Sequence, residues 1–372
     1  MSVRRINFQN LDALRGLLAV YVAIGHCRWL LWAGHSEWLA APHQPWEAIP
    51  AYASAAFRYG REAVMVFFVL SGFFIHYQAA RIDRRPGTAT AFYRRRWHRL
   101  APPYYVALAV TLILDAIGRT WWPVLYQART GDALLDETFA RGGYTTASVA
   151  PAFVLLPSSL GRDFGSNGPL WSLAYEAVYY AAYPLWLRLR QRSALAAFAG
   201  VPLLCAAVPL LPLGGFAVSV AFHYPIWLAG ALIAERSVKT GTSSRQPWIG
   251  GLMFVAGTLL HLSAAGRVWP SLVAALLFGC GAVLLFAAAS FPARLVGAAE
   301  YLGLRSYTIY IVHFPVLALA SAWVIQSHGG RPLHGWLALA GAVACVAFGC
   351  LCFEICERHF LHPRYRDDSA AP

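Results

Sequence analysis

The chain has 372 residues, of which 58% are hydrophobic and only 13% charged, with a mean hydropathy of +0.50. Soluble domains carry about a quarter charged residues, so this composition excludes an ordinary soluble fold. The net charge of +13 could suit nucleic acid, but its distribution along the chain points elsewhere.

Ten apolar runs are long enough to cross about 30 Å of hydrocarbon. They fall at approximately 11–32, 63–80, 100–117, 169–188, 194–212, 216–234, 248–265, 270–290, 304–326 and 336–356. An eleventh, 150–157, is too short to span. The expected fold is therefore all-α: a polytopic membrane protein of about ten transmembrane helices in one bundle. The expected organisation is a single integral-membrane domain over 1–366, a short tail at 367–372 and no appended soluble domain. No cleavable signal peptide is evident, because the first apolar run is too long and no small-residue cleavage site closes it.

Within the first run, Arg15 and His26 are eleven residues apart. Eleven helical steps return to within roughly 20° of the start, so both share one face about 16 Å apart along the axis. A cation near one surface and an imidazole deeper in the bilayer suit a polar bundle interior. The alternative is an arginine that snorkels to headgroups and a histidine that bonds a neighbouring helix.

All basic residues except Lys239 are arginines, and they concentrate in alternate loops. One set holds Arg4, Arg5, Arg81, Arg84, Arg85, Arg94, Arg95, Arg96, Arg99, Arg188, Arg190, Arg192, Arg236, Lys239, Arg245, Arg294, Arg305, Arg358, Arg364 and Arg366. The opposite set holds Arg58, Arg61, Arg119, Arg129, Arg141, Arg162, Arg267 and Arg331. The positive-inside rule then puts both termini in the cytoplasm, which agrees with an even number of spans. No role in nucleic-acid binding is expected. The loop 81–99 ends Phe92-Tyr93-Arg94-Arg95-Arg96-Trp97-His98-Arg99, denser in arginine than topology requires. Guanidinium forks pair with phosphate oxygens, so this stretch suits a polyanionic ligand.

The segment from about 118 to 168, expected on the non-cytoplasmic side, mixes Trp121, Trp122 and Tyr126 with Asp132, Asp136, Glu137 and Arg141. Rings and carboxylates of this kind suit carbohydrate contact, or equally a folded cap with interfacial anchors. In the next span Glu176 lies about 10 Å below the outer surface, and His26 about 9 Å below the same surface. Equal depth permits a contact in which the carboxylate orients the imidazole. A protonated carboxyl joining two helices is the other reading. His313, in Ser306-Tyr307-Thr308-Ile309-Tyr310-Ile311-Val312-His313-Phe314-Pro315, fits a packed interhelical bond nearly as well as a site. Cys345, Cys352 and Cys356 lie near one face of the last span. No histidine or carboxylate pattern completes a metal site, and packing is the expected role.

Taken together, these residues resemble the membrane-bound acyltransferase-3 family. The resemblance runs in order through Leu-Asp-x-Leu-Arg-Gly with Arg15-x10-His26, then Phe67-Phe68-Val69-Leu70-Ser71-Gly72-Phe73-Phe74-Ile75 and Phe-Tyr-x-x-Arg at 92–96. Leu-Trp-Ser-Leu-x-x-Glu with Tyr-x-x-x-Pro at 170–184 and Ser-Tyr-x-x-Tyr-x-x-His-x-Pro at 306–315 complete it. Many members carry an acidic residue two positions before the Phe-Phe pair; this chain has Met65 there, with Glu62 nearly one turn earlier. The resemblance implies O-acylation of a hydroxyl on a glycan, lipid-linked saccharide or similar acceptor, with acyl-CoA, most simply acetyl-CoA, as donor and no permanently bound cofactor. It implies His26 as general base or transient acyl carrier, with Glu176 and Arg15 completing the catalytic set. Arg15, Arg94, Arg95, Arg96 and Arg99 would hold the donor, and Trp171, Ser172, Tyr307 and His313 would contact substrate. No metal is expected. Near-exclusive arginine usage suggests a GC-rich bacterial genome, hence a multi-pass protein of the bacterial cytoplasmic membrane. Its partners are the bilayer, the donor and the acceptor, with the oligomeric state left open. A polytopic transporter would more often show an internal repeat or paired broken helices, and none is evident. A non-catalytic scaffold of glycan synthesis would tolerate loss of His26.

Overall fold

A computed structural model describes residues 6–81, 88–213, 215–240, 247–264 and 267–361. The tail 367–372 and the basic residues Arg4, Arg5, Arg84, Arg85, Arg245, Arg364 and Arg366 lie outside the described residues. All ten expected runs fall on helices: α1 (Phe8–Leu30), α2 (Gly60–Arg81), α3 (Ala89–Trp121), α4 (Trp171–Arg192), α5 (Ala196–Leu210), α6 (Gly215–Thr240), α7 (Pro247–Ala264), α8 (Val268–Ala288), α9 (Ala293–His328) and α10 (Trp336–Ile355). Seven of them, α2, α3 and α6–α10, are long and apolar enough to cross a membrane by length and composition. The chain is a polytopic helical membrane protein. α1 and α4 have the length but carry polar residues, among them Asp12, Arg15 and His26 in α1 and Glu176 in α4. α5 is shorter and irregular, a π turn followed by α and 3-10 turns, in a stretch broken by Pro202 and Pro209, which lack an N–H.

One sequence reading changes here. Residues 89–99 are not loop: α3 begins at Ala89, with the Thr88 hydroxyl accepting from the Ala91 N–H at 3.3 Å. Arginine is a good helix former and no proline intervenes before Pro102, so the basic stretch forms the first turns of a long helix.

Packing divides the chain into two compact units. The first comprises Met1–Leu18, Arg61–Phe92 and Tyr175–Leu304, the second Ala19–Gly60, Tyr93–Ala174 and Arg305–Pro372. In the first unit, close helix approach rests on missing side chains. A Cβ on Gly16 would collide with the backbone of Ala299 and Gly303, and one on Gly72 with the backbone of Trp227. Small residues that let backbones meet are the usual device of helix packing in lipid, and they give Gly16 and Gly72 of the two motifs a packing role.

In the second unit, a core of Ala23, Cys27, Leu30 and Leu31 from α1 meets Phe314, Leu317, Ala318 and Ala322 from α9, and Ala342 and Cys345 from α10. The segment 118–168 joins this core as short helices, Pro123–Tyr126, Ala133–Ala140 and Thr146–Phe153, and one parallel strand pair, β1 (Gly142–Gly143) with β2 (Asp163–Phe164). Leu125, Leu135 and Phe139 bury against the α1–α9 surface. Arg331 clamps this edge, donating to the Trp29 carbonyl at the end of α1 and to the Asp132 carboxylate. Ser321 Oγ donates to the Leu30 carbonyl at 2.7 Å. Two carbonyls that the end of α1 leaves without intrahelical donors are thereby satisfied.

Candidate functional site

His26 meets His313 inside the second unit. His26 Nδ1 lies 3.0 Å from His313 Nε2, with ring centroids 5.0 Å apart. His313 is fully buried, and its Nδ1 lies 2.6 Å from the Tyr310 carbonyl oxygen. A carbonyl only accepts, so His313 Nδ1 carries the proton and, in the neutral ring, Nε2 is an acceptor. His26 Nδ1 must then donate to it. The Val22 carbonyl, one turn earlier on α1, is a second acceptor for the ring, as such carbonyls are for Nδ1 of His223 and His328. No partner is described for His26 Nε2, on a side chain that is only half-buried. One imidazole nitrogen is therefore fixed and the other left with an open lone pair.

The sequence explains why α9 can hold this pair. Pro315 has no N–H, so the Ile311 carbonyl four residues earlier lacks its helical donor. Asn167 fills the gap, its Nδ2 donating to that carbonyl at 2.9 Å and to Thr111 Oγ1 at 3.0 Å. Asn167 itself sits in a turn held by Asp115, whose carboxylate accepts from the Ser166 N–H at 2.7 Å, Ser166 Oγ at 2.6 Å and the Tyr144 hydroxyl at 2.9 Å. Gly165 supplies that turn with φ +54° where a Cβ would strike Asp115. Tyr310 is tied at its other end as well: its hydroxyl lies 2.8 Å from Ser172 Oγ and 3.1 Å from the Pro169 carbonyl.

Aromatic rings enclose the pair. Phe314 meets His26 edge-on, centroids 5.2 Å apart at 85°, and Trp29 lies 6.1 Å from His26. Phe139 stacks on Phe314 at 6.3 Å, so the 118–168 segment reaches the ring that touches His26.

The other expected site residues are placed as follows. In the first unit Arg15 Nη1 bonds Asp12 Oδ1 at 3.2 Å, and its guanidinium lies over Phe74. Glu176 belongs to the same unit and closes a chain of donors. Trp227 Nε1 donates to Ser71 Oγ at 3.1 Å, Ser71 to the Tyr180 hydroxyl at 2.9 Å, and Tyr180 to Glu176 Oε1 at 3.0 Å. The ionised carboxylate only accepts, so the Tyr180 proton goes to Glu176 and Tyr180 must in turn accept from Ser71. In the second unit the Tyr307 hydroxyl is committed to the Leu100 carbonyl at 3.0 Å, Ser172 to Tyr310, and Trp171 lies half-buried beside it on α4. Arg94 and Arg95 are exposed, and Arg96 and Arg99 half-buried, on the first turns of α3. Glu62 pairs with His261, Oε1 to Nδ1 at 3.3 Å, in the first unit. Sequence reasoning missed Asn167, Tyr310 and Ser71. The His-x-Pro spacing signals an orphaned carbonyl but not which donor fills it.

Comparison with known proteins gives this geometry a family. The Acyltransferase domain family matches residues 8–354, nearly the whole chain. The Bacillus subtilis (strain 168) protein named "Putative peptidoglycan O-acetyltransferase YrhL" is 26% identical over 330 residues, covering 76% of this chain and 48% of that protein. "Acyltransferase MdmB" of Streptomyces mycarofaciens is 30% identical over 133 residues, covering 35% of this chain and 29% of that protein. The chain thus spans about half the length of the first of these relatives and under a third of the second. No solved structure gives a significant match.

Proposed function

The chain belongs to the acyltransferase-3 family, and from that premise we propose that it is a membrane O-acyltransferase moving an acyl group, most simply acetyl, from acyl-CoA to a hydroxyl of a surface glycan or lipid-linked saccharide. The observation that carries the reading is the open Nε2 of His26 on a ring whose other nitrogen is fixed by His313. An alcohol is a poor nucleophile at neutral pH. His26 Nε2 takes its proton as the oxygen attacks the thioester carbonyl, an effect typically worth about 10²–10⁴-fold. The new C–O bond gives a tetrahedral oxyanion, whose collapse breaks the C–S bond. The departing thiolate recovers the proton from the imidazolium, leaving ester and CoA thiol. The alternative in which His26 carries the acyl group uses the same open nitrogen.

Acyl-CoA is polyphosphorylated, and Arg94, Arg95, Arg96 and Arg99 offer guanidinium forks for it on α3. Arg15, on the His26 face of α1, extends the same chemistry toward phosphate or pantetheine, with Asp12 as its resting partner. The 118–168 segment, through Phe139 and its polar rim, is the region proposed to meet the acceptor. The charge asymmetry supports cytoplasmic termini in a bacterial inner membrane, with donor and acceptor entering from opposite faces. The peptidoglycan acetyl transfer in the name of the Bacillus relative favours acetyl and a glycan.

The test is His26→Ala in the full chain. The expected result is normal membrane levels with acyl transfer to envelope glycans, read by mass spectrometry, abolished. Unchanged product at normal levels would sink the assignment and return the protein to the scaffold reading.

A further inference from the structure

The proposal above makes His26 the base but leaves open which nitrogen acts and what sets it. We infer that His313 is a positioning residue, not a substrate contact: it accepts the Nδ1 proton of His26 and so reserves the Nε2 lone pair for the acceptor hydroxyl. This inference rests on the reading of His26 as base.

The argument is one of proton counting along a buried line. The Tyr310 carbonyl, 2.6 Å from His313 Nδ1, fixes that proton on Nδ1. His313 Nε2, 3.0 Å from His26 Nδ1, is then available only as an acceptor, so the second proton sits on His26 Nδ1. Reversing either proton would set lone pair against lone pair where no water can relieve it on the His313 side, an arrangement the line disfavours. The line is also rigid. Tyr310 is three residues before His313 on α9, with its hydroxyl pinned to Ser172 and Pro169 at the start of α4. Asn167 occupies the carbonyl that Pro315 orphans one residue beyond Tyr310. His313, at 0% exposure with both nitrogens engaged, has none left for a substrate.

The arrangement is a triad without a carboxylate. In the serine hydrolase triad a buried carboxylate holds the imidazole in one tautomer and steadies the imidazolium. Here a neutral imidazole backed by a carbonyl dipole does the first task without placing a formal charge in the helix core, where charge is expensive. When His26 takes a proton on Nε2 during the reaction, its Nδ1–H bond to His313 becomes charge-assisted and shortens toward the stronger class. The same contact therefore serves the resting and the protonated ring.

Two measurements on the full-length protein in lipid nanodiscs test this. The first is 15N NMR of the histidine rings, with His26 assigned by its loss in His26→Ala. The expected spectrum has His26 protonated at Nδ1 and bare at Nε2; a ring protonated at Nε2 overturns the inference with no assay of activity. The second is kinetic, following CoA thiol release from acetyl-CoA with the envelope glycan fraction of the source organism as acceptor. His313→Leu removes the imidazole acceptor of the Nδ1 proton, leaving only the Val22 carbonyl, and should lower kcat at least tenfold while the KM for acetyl-CoA stays within about twofold. His313→Gln, whose amide oxygen can still accept from His26 Nδ1, should recover a large part of the loss and keep the His26 tautomer. A His313→Leu protein with full kcat, or a Gln variant as poor as Leu with the tautomer intact, overturns the positioning role. Retained transfer in His26→Ala is a different failure: it removes the base and leaves the tautomer measurement standing.

Discussion

Two histidine clusters, one in each unit, differ in how completely their ring nitrogens are engaged. In the first unit His76 is 1% exposed and both its nitrogens are occupied, Nδ1 by the Tyr183 hydroxyl at 3.0 Å and Nε2 by Glu235 at 2.8 Å. Glu235 is in turn bonded by Arg190, and by Lys239 at 2.9 Å. In the second unit His26 has one nitrogen engaged and one open. In the first cluster both His76 nitrogens are taken, one by a hydroxyl and one by a carboxylate; it joins helices α2, α4 and α6. The second has no described charged partner and a lone pair in reserve. Burial or rarity of a histidine in a membrane span therefore does not by itself mark chemistry. A free lone pair on an otherwise fixed ring is the feature on which the proposed role of His26 rests.

The comparison breaks most visibly if the two clusters respond alike to substitution. His26→Ala is expected to cost about 10²–10⁴-fold in transfer with the fold intact. Glu235→Ala should do the reverse. It leaves His76 and Arg190 without their shared carboxylate, and breaking a buried ion pair costs about 3–5 kcal/mol, toward the lower end here because Arg190 is partly exposed. Thermal unfolding in detergent should shift down by several degrees, while the fraction that remains folded turns over normally. An unshifted melting curve together with lost activity would move the Glu235 cluster into the catalytic apparatus and erase the distinction drawn above.

The same contrast shows what could be read from the residues alone. Hydropathy put each of the ten apolar runs on a helix, seven of them long and apolar enough to span, because apolar runs of that length have few alternatives in lipid. Composition could not fix where α3 starts. A run of arginines reads as loop by charge and as helix by propensity, and the helix prevailed. Arg305 illustrates the limit of counting charges. It contributes to the positive-inside asymmetry, yet it is 5% exposed, bonded to Glu354 and stacked over Phe353 at 4.6 Å. For the site, His26 stood out by its spacing from Arg15, a local signal on one helix. The pairing with His313 joins positions 287 residues apart, and no periodicity encodes it. Depth arithmetic orders residues along the membrane normal, which is why Glu176 is weighed with His26, but it could not name His313.

A third charged feature is the arginine turn at the start of α3, with Arg94 and Arg95 exposed and Arg96 and Arg99 half-buried. On a helix, Arg95, Arg96 and Arg99 share an arc of roughly 100° while Arg94 turns away. Neutralising Arg95 and Arg96 together should raise the KM for acyl-CoA at least tenfold, since charge-assisted hydrogen bonds contribute about 1.5–3 kcal/mol each. Arg94→Gln alone should raise it less, because Arg94 lies off that arc. Substitutions within 121–141 should alter acceptor preference and leave that KM in place. Insertion must first be confirmed by accessibility labelling on both faces, because these arginines also orient the chain. A double variant that inserts correctly and binds acyl-CoA as the parent does would assign the turn to topology alone.

The smallest expected effect concerns the segment that carries Phe139 toward the histidine pair. Its helix, Ala133–Ala140, is capped by Asp132, which accepts from the Leu135 N–H at 3.0 Å, and braced by Asp136, which accepts from the Thr130 N–H at 2.8 Å, the Thr130 hydroxyl at 2.7 Å and the Gly131 N–H at 3.1 Å. Burial alone would raise the Asp136 carboxyl, but these three donors outweigh it and hold the group below its usual range. A carboxyl held low in the folded state contributes stability that is complete above the ordinary aspartate range and is lost as the pH falls through its folded value. Hydrogen–deuterium exchange across 130–140, corrected for intrinsic rates, should therefore lose protection as the pH is lowered through that range. The loss should reach about 1 kcal/mol, or roughly fivefold. Asp136→Asn, which cannot carry the charge, should show the lower protection already at neutral pH and no further acid-dependent loss from this site. Protection that is insensitive to both pH and the substitution would mean that Leu135 and Phe139 hold the helix by packing alone, leaving the polar brace with no part in presenting Phe139 to the site.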